Sequence, residues 1–162
     1  MTSLQNGRVL SGRVRQSKPE ELGVRTAGKF NELLSENVET FLQHFGTELF
    51  PGSLNVDLQD APAIHAELDA GRYPPAFVIP WAELKGKWNP ERLGDGQAWR
   101  CELSGDKFPS PQPCWIFRRI KSGVPPTVIE ILAEVSLSET YGLKDGDPVT
   151  VTLFEGPAQS GD

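Results

Sequence analysis

The stretch Phe50-Pro51-Gly52-Ser53-Leu54-Asn55-Val56-Asp57-Leu58 sets a proline-glycine turn directly before a strict alternation of polar and apolar side chains. Side chains of a strand point to opposite faces with period two. Leu54, Val56 and Leu58 are therefore expected to anchor one face while Ser53, Asn55 and Asp57 line the other. Three oxygen-bearing groups on one face suit a hard metal ion or a hydrated phosphate. Any half-buried strand shows the same alternation, so by itself the pattern favours a plain structural strand, and the chemical reading needs support from elsewhere in the chain.

Thr127-Val128-Ile129-Glu130-Ile131-Leu132-Ala133 reads as a strand buried on both faces, interrupted by one carboxylate. Burying an unpaired carboxylate is costly, so Glu130 requires a specific partner or a cavity. It is a candidate site residue, and a structural pair with Arg118 or Arg119 is the alternative. Those arginines end the aromatic and β-branched run from Cys114 to Ile120 and point to opposite faces. One of them is a candidate to reach a ligand phosphate or carboxylate through its planar fork, or to guard an edge strand.

Charge gives a third signal. Between Arg8 and Lys29 lie Arg13, Arg15, Lys18 and Arg25 against Glu20 and Glu21, in a chain whose net charge is -6. A phosphate-bearing ligand explains that local reversal, and an ordinary solvated loop is the competing explanation. The two histidines add little. His44 belongs to a helix end, where positive charge is favourable, and His65 has no ligand-like neighbours in sequence.

The elements that position these residues are short. Phe30, Leu33, Leu34, Val38, Phe41, Leu42 and Phe45 recur at helical spacing, most securely over Glu36 to Phe45, with Gly46 as a left-handed cap. Gly7 to Val14 reads as a strand in which Ser11-Gly12 marks a bulge or a close backbone approach. Further strands are expected over Ala76 to Ile79, Ala98 to Leu103, Cys114 to Ile120 and Val149 to Leu153. Short helices fit Pro62 to Asp69 and Ser136 to Tyr141. Lys107 to Pro113 reads as a proline-rich connection, and Trp81 to Gly96 as an excursion or flap. Asp145-Gly146 is a tight-turn signal.

Length and composition bound the rest. The chain has 162 residues, with sixteen glycines and fourteen prolines. That fits one domain over residues 1–156 built of many short strands, with residues 157–162 as a disordered polar tail. A sequence pI near 5.0 argues against non-specific nucleic-acid binding. No apolar run reaches membrane-spanning length, and Cys101 and Cys114 without a signal peptide fit reduced thiols in a cytoplasm.

Taken together, these stretches resemble the archaeal-type riboflavin kinases. The matching residues are Gly7 and Ser11-Gly12, Phe41 to Gly46, Phe50 to Leu58, and Ile129 to Val151. In that family a Pro-Gly-Thr/Ser-Leu-Asn motif follows the helix, as Pro51 to Asn55 do here. A Glu-Ile-Ile-Ala segment then leads to a Leu-Lys-Asp-Gly-Asp turn, an order that Glu130 to Ala133 and Leu143 to Asp147 reproduce. The resemblance implies a mainly β (α+β) fold, a cradle-loop, swapped-hairpin β-barrel with a few short helices. It also implies a cytoplasmic enzyme, monomeric or a small homo-oligomer, that transfers the γ-phosphoryl of CTP to riboflavin and gives FMN.

Carried onto this chain, the resemblance implies that Ser53 and Asn55 hold Mg²⁺. Glu130 becomes the catalytic candidate, orienting the ribityl chain or its hydroxyl. Gly12, Arg13, Gly28, Lys29, Arg118, Lys144 and Asp145 are the candidates for contacts to the nucleotide. Two departures stand out. The family's glycine-rich loop after the first strand is replaced by a basic stretch, an insertion near Arg13 to Ala27 that leaves Gly28-Lys29-Phe30 as its end. Ser122 to Pro126 replace a His-Tyr pair. A binding module that keeps the barrel and its pocket without turnover is the second reading of the same residues.

Overall fold

The structure is a computed structural model that describes residues 7–15, 29–59, 61, 63–85, 94–120 and 126–154. Gly28, most of the basic insertion, half of the expected Trp81 to Gly96 excursion, most of the Ser122 to Pro126 replacement and the C-terminal tail lie outside the described residues.

Among the described residues there are seven strands, four short α-helices and one 3₁₀ turn. The strands are β1 (Gly7–Val14), β2 (Leu54–Asp57), β3 (Phe77–Ile79), β4 (Gly96–Ser104), β5 (Gln112–Arg119), β6 (Val128–Leu132) and β7 (Pro148–Phe154). The helices are α1 (Lys29–Glu36), α2 (Val38–Phe45), α3 (Ile64–Asp69) and α4 (Leu137–Tyr141). The sheet runs β3-β4-β5-β6-β2-β1-β7, every pairing is antiparallel, and a further β4–β7 pairing closes six strands into a barrel. β4 serves two partners on one edge by dividing its length. Gly96 to Ala98 pair with β3, and Cys101 to Ser104 pair with β7. The fold is the mainly β cradle-loop barrel expected, and among the described residues no helix is long and apolar enough to cross a membrane.

Strand alternation divides the apolar residues between two cores. Leu54, Val56, Trp99, Ile116, Ile129 and Ile131 fill the barrel interior. Phe117, Ala98 and Leu132 point outward and meet Leu34, Phe41 and Phe45 of α1 and α2 in a second core. β6 is therefore buried on both faces, as its apolar run implied: Val128, Ile129, Ile131 and Leu132 are all buried, and Glu130 is the exception.

Gly12 explains the break in the first strand. A Cβ there would lie 2.7 Å from Val56 Cγ1, 2.8 Å from Leu58 Cδ2 and 2.9 Å from the Asp57 carbonyl oxygen. The glycine lets β1 close on β2 without a bulge.

Two boundaries differ from the sequence reading. The helical period from Phe30 to Phe45 is split at Asn37, which is 4% exposed. Its side-chain amide donates to the carbonyls of Leu33 (2.9 Å) and Lys85 (2.8 Å), and its Oδ1 accepts from Lys85 N–H at 2.8 Å. That competition with the helical backbone is the reason for the break. Pro113, expected in a connection, lies inside β5 opposite Glu102. Its ladder toward β6 begins only at Trp115, so the missing N–H interrupts no pairing on that side. Gly46 does cap α2 in the left-handed conformation (φ 76°), with its N–H donating to Leu42 O.

Candidate active site

The strand registers build one row of residues across the outer face of the barrel. Asn55 of β2 lies opposite Glu130 of β6, and Glu130 lies opposite Phe117 of β5. Phe117 lies opposite Ala98 of β4, and Ala98 opposite Phe77 of β3. On the other side, Arg15 continues the line of β1 and donates its backbone N–H to Asn55 O at 2.9 Å. The row changes character along its length. Phe77, Ala98 and Phe117 belong to the second apolar core, whereas Arg15, Asn55 and Glu130 are polar. Glu130 stands at the boundary.

That position sets its chemistry. No hydrogen bond or ion pair holds the Glu130 carboxyl among the described residues, and burial alone pushes it up to about 7 from its ordinary 4.5. Neither arginine considered as a partner pairs with it. Arg118 points into the barrel, where it donates to Gln97 Oε1 (2.9 Å) and Asp69 Oδ1 (2.5 Å), packs on the Trp99 ring and approaches His65 Nδ1 at 3.2 Å. Arg119 donates from Nε to Gly94 O at 2.8 Å.

Two residues flank Asn55 on the same strand face. Ser53, at the exposed entrance to β2, shares the parity of Asn55 and Asp57. Asp57 is paired in register with Arg13 and Val128. Its Oδ2 is 3.8 Å from Arg15 Nη1, while its Oδ1 is buried and has no hydrogen-bond partner among the described residues.

The donor set tests the expected metal. Among the described residues no group of three His, Cys, Asp or Glu side chains converges on one point. A hydroxyl and an amide oxygen two residues apart on one face offer few, hard ligands. That suits Mg²⁺, which keeps several waters and takes other oxygens from substrate phosphates.

The remaining sequence candidates scatter around this row. Gly12 faces inward at the β1–β2 seam, and Arg13 points outward, donating to Gly146 O at 2.9 Å. Lys144 and Asp145 lie in the turn before β7. There Asp147 Oδ2 accepts from Lys144 N–H and Lys107 Nζ, both at 2.7 Å, and Gly146 N–H donates to Val14 O at 2.7 Å. This turn therefore abuts the end of β1. Lys29 begins α1. Arg118 sits on the opposite face of the sheet from Glu130. Arg15, beside Asn55 and Asp57 in the structure, is not among the sequence candidates, and Asp57 has no role assigned from sequence. Asp57 was visible in the alternation, but its proximity to Arg15 depends on the β1–β2 register, which composition does not encode.

Two depressions lie among the described residues, and no residue of the row lines either. One, of about 390 Å³, is lined by Ser11, Arg13, Asp57, Gln59, Asp106 and Thr150 among others. The other, of about 440 Å³, is mainly apolar and runs between the two helices and residues 47–51, with Leu34, Val38, Phe41, Leu42, Leu49 and Pro51 in its walls.

The fold defines the class: a closed, mainly β cradle-loop barrel with a few short helices. The family follows from comparison with known sequences. Residues 23–153 match the family abbreviated as CTP-dependent riboflavin kinase and described as "Domain of unknown function DUF120", and the chain belongs to that family. It is 34% identical over 113 residues to a riboflavin kinase of Methanocella arvoryzae, covering 70% of this chain and 45% of that protein. It is 27% identical over 129 residues to a riboflavin kinase of Methanoregula boonei, covering 78% of this chain and 51% of that protein. The chain thus spans about half the length of these relatives.

Proposed function

We propose that the chain is a riboflavin kinase module, which transfers the γ-phosphoryl group of CTP, or of another nucleoside triphosphate, to riboflavin and yields FMN. The observation that carries this reading is the direct cross-strand pairing of Asn55 with Glu130. It joins a metal-compatible amide to a carboxyl with a shifted affinity for protons, inside a family whose relatives are named riboflavin kinases.

Ser53 and Asn55 would hold magnesium, which would supply neutralisation of the nucleotide's phosphate charge. Glu130 is ionised in part of the population near neutral pH, so it is suited to orient the terminal ribityl hydroxyl and accept its proton. The hydroxyl oxygen then forms a bond to the γ-phosphorus as the bond from that phosphorus to the β–γ bridging oxygen breaks. The nucleoside diphosphate leaves. Gly12 and Arg13 lie near the end of β1, Lys144 and Asp145 in the turn that abuts it, and Lys29 begins α1; all are proposed to approach the nucleotide. The apolar groove beginning at Pro51 suits the flavin ring. No general base beyond Glu130 is needed, because phosphoryl transfer depends mainly on positioning and charge stabilisation.

Incubation with riboflavin, Mg²⁺ and each of CTP, ATP, GTP and UTP, scored for FMN, tests the reading. FMN is expected, fastest with CTP. No FMN with any donor, alongside retained flavin or nucleotide binding, would leave the binding module. Asn55→Ala is expected to cut FMN formation by about 10²-fold or more, since even outer partners of a metal are worth 10- to 100-fold. An unchanged melting temperature would assign the loss to the site, and full activity would reject the metal assignment.

A further inference from the structure

The geometry points to Arg15 as the residue that contacts the terminal phosphate of the nucleotide, with Asp57 as its positioning residue. The assignment rests on the kinase reading for its substrate and on the structure for its parts. Most described arginine side chains near the barrel ends are engaged. Arg8 pairs with Glu67 and Tyr73, Arg13 with Gly146 O, and Arg118 with Asp69 and Gln97. Arg15 differs. Its backbone N–H is fixed to Asn55 O at 2.9 Å, which sets it at the head of the row that continues through Asn55 to Glu130. Adjacent strands lie about 4.8 Å apart, so Arg15 and Glu130 flank Asn55 across about 10 Å. That is a span over which a phosphoryl group can meet all three side chains.

The Arg15 guanidinium is held without being used up. Its Nη1 is 3.8 Å from Asp57 Oδ2, close enough for attraction and too long for a hydrogen bond. The side chain is 30% exposed, so the five-donor fork remains available to an incoming anion. Asp57, directly opposite Arg13 and two residues from Asn55, has a buried Oδ1 that no described residue satisfies. Leaving such an oxygen unsatisfied is costly. A guanidinium drawn toward a bound phosphate could turn a donor onto Asp57, giving bidentate contacts on one edge and a carboxylate on the other. In the transfer step Arg15 gains and loses no bond. It stabilises the charge on the equatorial oxygens while the γ-phosphorus exchanges its bridging oxygen for the ribityl oxygen and the proton passes to Glu130.

The test uses the full chain and two readouts, FMN formation and calorimetric binding of Mg²⁺–CTP or inorganic tripolyphosphate. Arg15→Gln is expected to lower kcat by about 10³-fold with the riboflavin KM unchanged. Arg15→Lys is expected to recover part of the loss, because a point charge lacks the fork. Asp57→Asn keeps shape, lowers kcat by about 10-fold, and has no further effect in the Arg15→Gln background, as expected of residues acting as a unit. Wild-type kcat and unchanged tripolyphosphate affinity in Arg15→Gln would overturn the assignment while leaving the kinase reading intact. Additive effects in the double variant would overturn the role of Asp57. Should wild type form no FMN with any donor, the kinase reading fails. The inference is then decided by binding alone: a tenfold or greater loss of tripolyphosphate affinity in Arg15→Gln supports it, and equal affinity, or none in wild type, overturns it.

Discussion

At the scale of single residues, burial of Glu130 makes stability depend on pH. The unfolded carboxyl titrates near 4.5, whereas burial raises the folded group to about 7. Below pH 4.5 both states are protonated and the burial is free of charge cost. As pH rises toward 7 the unfolded chain ionises first, so stability falls across that window and levels off above it. The full penalty for such a displacement is about 3 kcal/mol. Glu130→Gln keeps the shape and cannot ionise. Urea unfolding should therefore find it close to wild type at pH 4 and more stable by up to about 3 kcal/mol at pH 8. A difference that does not vary with pH would show that ionisation is not the source. The same substitution should reduce FMN formation by about 10²- to 10⁴-fold, the usual worth of a positioned acid or base. Glu130 was legible in sequence because a lone carboxylate in an apolar strand stands out by its cost. The Arg15–Asp57 approach was not, because it depends on how two distant strands are aligned.

At the scale of elements, the two helices on the outer face show where periodicity stops being informative. Phe30 to Phe45 carries a continuous helical stripe, and the C-terminal half, with its Gly46 cap, is read correctly from spacing. The interruption is tertiary. Asn37 leaves the helix to tie Lys85, 48 residues away, to the α1–α2 junction through both its amide and its oxygen. No local rule reveals that partner, just as none reveals that Pro113 can enter β5 where β6 has not yet begun to pair. Asn37→Ala leaves the Lys85 N–H and two carbonyls without this partner. Unsatisfied buried groups cost about 1–3 kcal/mol each, and partial rehydration offsets some of that, so a loss of about 3 kcal/mol is expected. Chemical denaturation measures it. Asn37→Asp should be no milder, since it keeps the acceptor for Lys85 N–H but turns a carboxylate toward the carbonyls of Leu33 and Lys85. If Asp rescues the stability lost in Ala, the donating half of the amide is unimportant and the break in the helix has another origin.

At the scale of the whole molecule, the barrel is closed by contacts between strands far apart in sequence, and two thiols report on that closure. Cys101 of β4 and Cys114 of β5 lie opposite each other with sulfurs 3.5 Å apart, buried among the interior side chains. Burial pushes the Cys101 thiol well above its ordinary range, which suppresses the reactive thiolate. Labelling by an aromatic disulfide reagent therefore requires the barrel to open. Gly12 supplies an independent way to weaken it, on the β1–β2 seam rather than on β4 or β5. A methyl group there meets Val56, Leu58 and the Asp57 carbonyl at under 3 Å, two of them on the interior face that the strand cannot vacate. Such overpacking typically costs about 1–3 kcal/mol, and about 1.4 kcal/mol is a factor of ten in an equilibrium constant. If the six strands open as one unit, Gly12→Ala should raise the labelling rate of both cysteines by about 10- to 100-fold, matching the stability lost in urea. A drop in urea stability with unchanged labelling would mean instead that β4 and β5 open locally, independently of the seam that joins β1 to the site.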